Sequence, residues 1–188
     1  MEYVRVYPGE ILTHSEESFI LLIEERETQR QVPLLVDWSE GVSFIIVSNG
    51  NRPRRPLSHN LIDSLMDKAL LQLKQVTIDR FEEGIFYATL HVGDGLSSWA
   101  IDSRPGDAVV MALLRDCPIL MEKKVLEETF MFPGALRESQ VDNDDADGRP
   151  EDRLEELEAL LRHCEAVEDY EQAAEILKEI NRIKGIGT

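Results

Sequence analysis

The chain is poor in cysteine, in positive charge and in long apolar runs, and each shortage excludes something. Its 2 cysteines, Cys117 and Cys164, lie far apart in apolar surroundings. That pair makes neither a disulfide framework nor a zinc site, and it suits a reducing compartment. Only 20 bases face 37 acids, for a net charge of −17. Such acidity disfavours unspecific binding to a polyanion. The longest apolar runs, such as Ser18–Ile23 and Ala108–Leu114, fall far short of the ~20 residues that span a membrane. The start, Met1-Glu2-Tyr3-Val4-Arg5, has no basic stretch followed by an apolar one, as a secretory signal would. A cytoplasmic protein with no membrane contact is expected. No GxxxxGK[ST], CxxC or HExxH motif occurs either.

What is present divides in two. Residues 1–137 hold 21 acids and 14 bases, whereas residues 138–188 hold 16 acids and 6 bases, so the short tail carries most of the excess. Tyr3–Tyr7 alternates as a strand should, and Phe19–Ile23 and Val32–Val36 are denser strand-like runs. Ser58 is placed to cap a helix with Leu61, Leu65, Ala69 and Leu73 on its buried face. Val76–Phe81, Ile85–Val92 and Leu96–Asp102 read as strands, and Asp94-Gly95 is a hairpin signal. Pro105 suits a first helical turn, with Ala108–Leu114 as a buried helix after it. Pro118–Met121 and Lys123–Phe130 close the domain as a strand and a helix. The order predicts an α+β fold in which helices pack on a mixed β-sheet, followed by a C-terminal αα-hairpin.

Two polar knots carry the candidate chemistry. The first is Arg54–Leu61, RRPLSHNL, and the second is Ile101–Leu113, IDSRPGDAVVMAL. The pKa of a histidine allows proton transfer near neutrality, so His59 leads. Arg54 and Arg55 offer guanidinium forks suited to phosphate oxygens. Asp102 ends a strand and Asp107 lies in the next helical turn, which lets both reach one cleft. There they can bind a divalent metal (Mg or Mn) that activates water, or one of them can orient His59. Structural readings stand beside these. His59 and Asn60 can simply complete a helical turn, Asp107 can stabilise a helix dipole, and Asp102–Arg104 can be an ion pair. His14, His91 and His163 are isolated and read as surface or pairing residues.

Together the two knots resemble the bifunctional nuclease family, small bacterial and plant domains with DNase and RNase activity. The resemblance spans about the first 130 residues. It implies phosphodiester cleavage, with His59, Asp102 and Asp107 catalytic and Arg54, Arg55, Asn60 and Arg104 on the substrate. It also implies self-association, a homodimer being expected. Trp38–Gly50 looks β-like by propensity, but the family pattern puts a helix there, opened at Ser39-Glu40. Three departures stand out. The family has Gly at the position of Asp37, Ala at that of Gly41 and Ser at that of Gly106.

Residues 133–150 include the acidic string Asp142–Asp147 and read as a flexible linker, since little in them can be buried and the calcium-loop spacing is not met. Domains are thus expected at 1–132, 133–150 and 151–188. In the last, Leu154, Leu157, Leu161 and Cys164 recur at helical spacing, and Tyr170, Ala173, Leu177 and Ile180 repeat it. Asp169–Ile180, with the adjacent Ala173 and Ala174, resembles the UVR motif, the interaction hairpin of the excision-repair proteins UvrB and UvrC. Leu157, Leu161, Tyr170, Ala173, Ala174 and Leu177 are then the partner-binding residues, facing a helical protein with a similar hairpin. Three functions remain open: a tethered nuclease, a non-catalytic binding or regulatory module in a DNA-repair or stress-response complex, and a hairpin that only dimerises the protein.

Overall fold

In a computed structural model of the chain, residues 2–133 are described, apart from Glu16 and Arg52, together with the single position Ile180. The expected linker and hairpin lie outside the described residues. By its contacts the chain divides into two units, Met1–Arg52 with Pro56–Pro133, and Pro53–Arg55 with Gly134–Thr188. The fold that follows is that of the first.

Seven strands form one sheet: β1 (Tyr3–Ser15), β2 (Ser18–Glu25), β3 (Arg30–Asp37), β4 (Gln72–Glu82), β5 (Ile85–Gly93), β6 (Ser98–Ser103) and β7 (Ile119–Glu122). Their order is β3-β2-β1-β7-β4-β5-β6. All neighbours are antiparallel except β4 and β7, which run parallel. The mixed α+β architecture expected from the sequence is therefore present. β1 is shared between two neighbours. Tyr3–Val6 pairs with β7, and Tyr7 onward pairs with β2 through a register shift between Pro8 and Ile11. Pro8 and Gly9 interrupt the alternation there, which is why the sequence shows only the first half of this strand. Between β4 and β5 the turn is tight, with φ of 52° at Glu83 and 83° at Gly84. Two positive values in succession are those of the type I′ turn that suits strand twist.

Four helices accompany the sheet: α1 (Trp38–Ser48), α2 (Ser58–Lys68), α3 (Pro105–Arg115) and α4 (Lys123–Thr129). The β-like run Val42–Val47 is thus helical, because Asp37 and Glu40 close a reciprocal capping box at its start. Gly41 is also needed in that first turn, since a Cβ there would collide with the Phe19 ring. The core joins Val36, Val42 and Phe44 with Val76, Ile78, Val109 and Met111. Burying these side chains contributes about 1.5–3 kcal/mol each for the larger ones.

α2 corrects the sequence reading twice. Its N-cap is Leu57, not Ser58, and the Leu57 N–H donates to Asn60 Oδ1 at 3.1 Å. Its buried face is not the leucine stripe, for Leu61 and Leu65 are 54% and 59% exposed while His59 and Met66 are buried. The reason is a polar seam against α3. Arg115 pairs with Asp63 and, at 2.7 Å, with Asp67, and His59 meets Asp107 at 2.9 Å. The two helices run in the same direction, joined by His59–Asp107 near their starts and by the Arg115 ion pairs near their ends.

Candidate active site

The site forms where the first turns of three helices converge. α3 begins with Arg104 at the N-cap, Pro105 in the first turn and Asp107 as its first-turn acid. Proline at this point gives up no helical hydrogen bond, and its fixed φ sets the entry angle. α2 supplies His59 and α1 supplies Asp37 and Glu40.

These side chains form one chain of polar contacts. His59 Nε2 lies 2.9 Å from Asp107 Oδ1, and Arg104 Nε donates to Asp107 Oδ2 at 2.8 Å. The Arg104 fork continues to Asp37 Oδ2 through Nη1 at 2.7 Å. Its Nε also stands 3.4 Å from Glu40 Oε1. The Glu40 N–H donates to Asp37 Oδ1 at 2.8 Å and the Asp37 N–H to Glu40 Oε2 at 2.9 Å. One guanidinium thus serves three carboxylates, and its Nη2 has no hydrogen bond among the described residues.

The acidities separate accordingly. Burial alone would raise the Asp107 carboxyl, but hydrogen bonds from His59 and Arg104 outweigh it and hold the group below the ordinary carboxylate range. Asp37 is lowered in the same way, burial being overcome by the Glu40 N–H and Arg104. Glu40 moves oppositely. Burial pushes it up, and the neighbouring charges of Asp107 and Asp37 reinforce the shift against Arg104. Asp107 and Asp37 in turn favour the charged Arg104. Carboxyl groups driven apart like this are a common property of acid–base sites.

An open hollow of about 420 Å³ is lined by Ile85, Phe86, Tyr87, Asp102, Ser103, Arg104 and Asp107. His59 stands behind Asp107, 6% exposed, and its Nδ1 is buried without a hydrogen-bond partner among the described residues. An orphaned acceptor costs less than an orphaned N–H. The tautomer that donates from Nε2 to Asp107 is therefore favoured. Asp102 sits exposed on β6 opposite Thr89 of β5 and makes no hydrogen bond or ion pair among the described residues. The alternative Asp102–Arg104 ion pair is replaced by the contacts of Arg104 with Asp107 and Asp37.

Of the seven expected residues, the structure brings together His59, Asp107 and Arg104, with Asp102 on the same hollow. Asn60 is half-buried and caps α2. Arg54 and Arg55 are exposed in the turn ahead of α2 and belong to the second unit. Asp37 and Glu40 are the partners that a search for chemistry overlooks. Their signal is an acid three residues before a glutamate at a helix start, a capping box. Glycine at 106 belongs to the same arrangement. A Cβ there would lie 2.7 Å from Glu40 Oε1 and 2.9 Å from Val36 Cγ1.

Among the described residues no three His, Cys, Asp or Glu side chains stand together as a metal site. The positive charge amid the carboxylates is the Arg104 guanidinium. No helix among the described residues is long and apolar enough to cross a membrane.

Fold and site together define an α+β domain with a histidine–carboxylate pair at a helix start and a guanidinium facing an open hollow. The chain belongs to the bifunctional nuclease domain family, whose model matches residues 20–133. It is also similar to two proteins of Mycobacterium tuberculosis, the uncharacterized protein MT1877 of strain CDC 1551 / Oshkosh and the uncharacterized protein Rv1829 of strain ATCC 25618 / H37Rv. Each is 31% identical over 142 residues, which cover 76% of this chain and 82% of the relative.

Proposed function

We propose that the domain hydrolyses phosphodiester bonds of DNA or RNA in the hollow at the start of α3. The observation that carries this reading is the His59–Asp107–Arg104 chain on its wall. Arg104 is held in place by Asp37 and Asp107, which leaves Nη2 for a phosphate oxygen; a guanidinium fixed this way stabilises developing charge without reorganising. The Asn60 amide supplies a further phosphate contact, and Arg54 and Arg55, which belong to the other unit, are proposed to meet backbone phosphate on their own. Asp107 faces the substrate and positions a water, while His59 behind it holds the carboxylate in place by donating from Nε2. Asp102, with both oxygens unengaged, accepts the proton of that water as the water oxygen bonds to phosphorus; the P–O bond to the leaving sugar oxygen breaks, and that oxygen takes its proton from the solvent filling the open hollow. Magnesium or manganese is given no step, because Asp107, Asp37 and Glu40 are already served by Arg104 and Asp102 is left as a single carboxylate.

The acidic tail favours a confined substrate over bulk nucleic acid. We propose that the UVR-like segment, through Leu157, Leu161, Tyr170, Ala173, Ala174 and Leu177, docks a helical partner and raises local concentration at a target. Loss of that partner from a pull-down on deleting residues 153–188 is the expected result.

A cleavage assay on single- and double-stranded DNA and RNA tests the enzyme reading, with divalent metal and with chelator. Wild type is expected to cut at least one substrate, with folded Asp107→Asn and His59→Ala both strongly impaired. Equal rates in all three proteins, or no cleavage by any, would overturn it.

A further inference from the structure

β5 outruns the strand beside it. Its pairing with β6 ends at Ala88 opposite Ser103, yet β5 begins at Ile85. Past Ser103 the chain leaves the sheet and turns into α3 at Arg104. Ile85, Phe86 and Tyr87 therefore have strand partners on one side, where they pair with Glu82, Phe81 and Arg80 of β4. These same three residues border the hollow. Alternate residues of a strand turn both N–H and C=O towards one neighbour. The notch past the end of β6 thus presents at least one backbone donor and acceptor with no strand partner among the described residues. Backbone groups left over in this way are completed by water or by a ligand.

Aromatic rings stand at the same place. Tyr87 is half-buried on the hollow, and the Arg80 guanidinium lies 4.3 Å from its ring centroid. Phe86 packs on Phe81 with centroids 4.5 Å apart, and Ile85 at the rim is 56% exposed. Both rings are braced by a neighbour on β4 while they border open space. Among the described residues lining the hollow, Arg104 is the one cation, beside Asp102 and Asp107. Gripping a nucleic acid along its backbone takes a row of cations, and this hollow can hold about one phosphate. The rest of the affinity must come from a base. Stacking on an aromatic ring supplies it, and does so whatever the base. Within a duplex, both faces of a base are stacked and its edge is paired. An unpaired base alone can offer a face to Tyr87 and an edge to the free backbone of β5. A volume of about 420 Å³ is near the lower end of the ~300–1,000 Å³ of small-ligand sites, which suits a single nucleotide.

We propose that the hollow takes a single-stranded segment of nucleic acid. One unpaired base stacks on Tyr87 with its edge against the β5 backbone at Ile85–Tyr87, while Arg104 holds the adjoining phosphate. The class of ligand rests on the phosphodiester reading; the preference for an unpaired base comes from the ring and the notch.

Fluorescence anisotropy with the full-length chain tests this, using Asp102→Asn, which lacks the proposed proton acceptor, so that binding is read without cleavage. The probes are labelled single strands of DNA and of RNA of about 12 nucleotides, their duplexes, and the same strands made abasic. At least one intact single strand should bind about tenfold more tightly than its duplex or its abasic form. Adding Tyr87→Leu should remove that advantage, whereas Tyr87→Phe, which keeps the ring, should retain it. The salt dependence should be the same with Tyr87→Leu, because no phosphate contact is lost. Equal affinity for intact, abasic and duplex probes overturns the proposal, as does a Tyr87→Leu chain that keeps the preference. Binding to none of the probes overturns it too. The abasic comparison needs no change at Tyr87, so it decides alone if Tyr87→Leu does not fold. Failure of the nuclease reading would leave this binding pattern in a chain that cuts nothing. Failure of the stacking alone would leave cleavage that is lost in Asp107→Asn but unchanged in Tyr87→Leu.

Discussion

Two Arg-Pro pairs introduce two helices of this domain, and the pairs end in different circumstances. At α3 the arginine is itself the N-cap and the proline follows inside the first turn. At α2 the helix starts later, with Leu57 as N-cap after Arg55-Pro56. That offset has a large consequence. Arg104 is turned onto Asp37, Glu40 and Asp107, whereas Arg55 is exposed before the helix begins and His59 carries the contact to α3. Similar sequence chemistry becomes a fixed electrostatic centre in one place and a solvated basic turn in the other. Where the helix starts relative to the proline decides which.

Asp107→Asn breaks the comparison most severely, because Asp107 joins the two sides. Removing the charge leaves Arg104 one carboxylate short and His59 facing an amide. Under the proposed function, cleavage should fall about 1,000-fold, within the range that positioned acid–base groups contribute. His59→Gln should cost less, since the hollow would keep its carboxylate. Steady-state rates on one substrate would rank the two, and a larger loss from His59→Gln would reverse their assigned order. Next comes Gly106→Ser, which installs the residue that the family pattern has there. The new Cβ meets Glu40 and Val36, so unfolding in urea should show a loss of about 1–3 kcal/mol, typical of overpacking. Adding Glu40→Ala should recover part of it. Full stability in Gly106→Ser alone would contradict the close packing described.

The fold was more legible than the site. Strand alternation, the Asp94-Gly95 turn and Pro105 locate most elements because each is a local backbone preference. α1 was not legible by propensity. Val42–Val47 is β-branched and apolar, and only the Asp37/Glu40 box argues for a helix from local sequence. α2 misled for a different reason. Leu61 and Leu65 recur at helical spacing, yet Asp63 and Asp67 bind Arg115 and turn the polar seam inward. Apolar periodicity cannot anticipate a helix that packs through charge. His59 and Asp107 were legible as chemistry, but their contact spans 48 residues of sequence. Asp37 stood out only as a departure from the family pattern, because a capping residue and an ion-pair partner look the same in one dimension.

The split in acidity gives a smaller effect with a definite sign. Asp107 and Asp37 are lowered in the folded state. Their contribution is therefore present above the unfolded carboxylate pKa of about 3.9 and lost as pH falls through the folded values. Glu40 is raised above its ordinary 4.5, so its contribution is full below that pH and is lost as pH rises through the folded value. Relative to wild type, Glu40→Gln should become progressively more favourable as pH rises above 4.5, while Asp107→Asn should become progressively less so as pH rises through the lowered folded value towards about 3.9. Urea midpoints at several pH values would read both slopes. Parallel slopes would remove the distinction between the two carboxyls.

The smallest expected effect falls on the basic turn. Arg55 is exposed ahead of α2, so Arg55→Ala should change stability by no more than about 0.5 kcal/mol. Its contribution is read in salt. If Arg55 meets a backbone phosphate, its loss should weaken binding to all sequences alike and flatten the salt dependence by about one phosphate contact. Arg104→Ala should behave differently, because it releases three carboxylates as well as any phosphate. It should lower stability in addition to binding, and Arg104→Lys should restore only part of either, since an ammonium cannot span Asp37 and Asp107 as the fork does. Equal salt slopes and equal stabilities for Arg55→Ala and Arg104→Ala would mean that the offset between the two helix starts has no functional consequence. A flattened slope with unchanged stability for Arg55 alone would give the two arginines separate tasks, Arg55 adding a backbone phosphate contact of its own and Arg104 holding a phosphate beside Asp107.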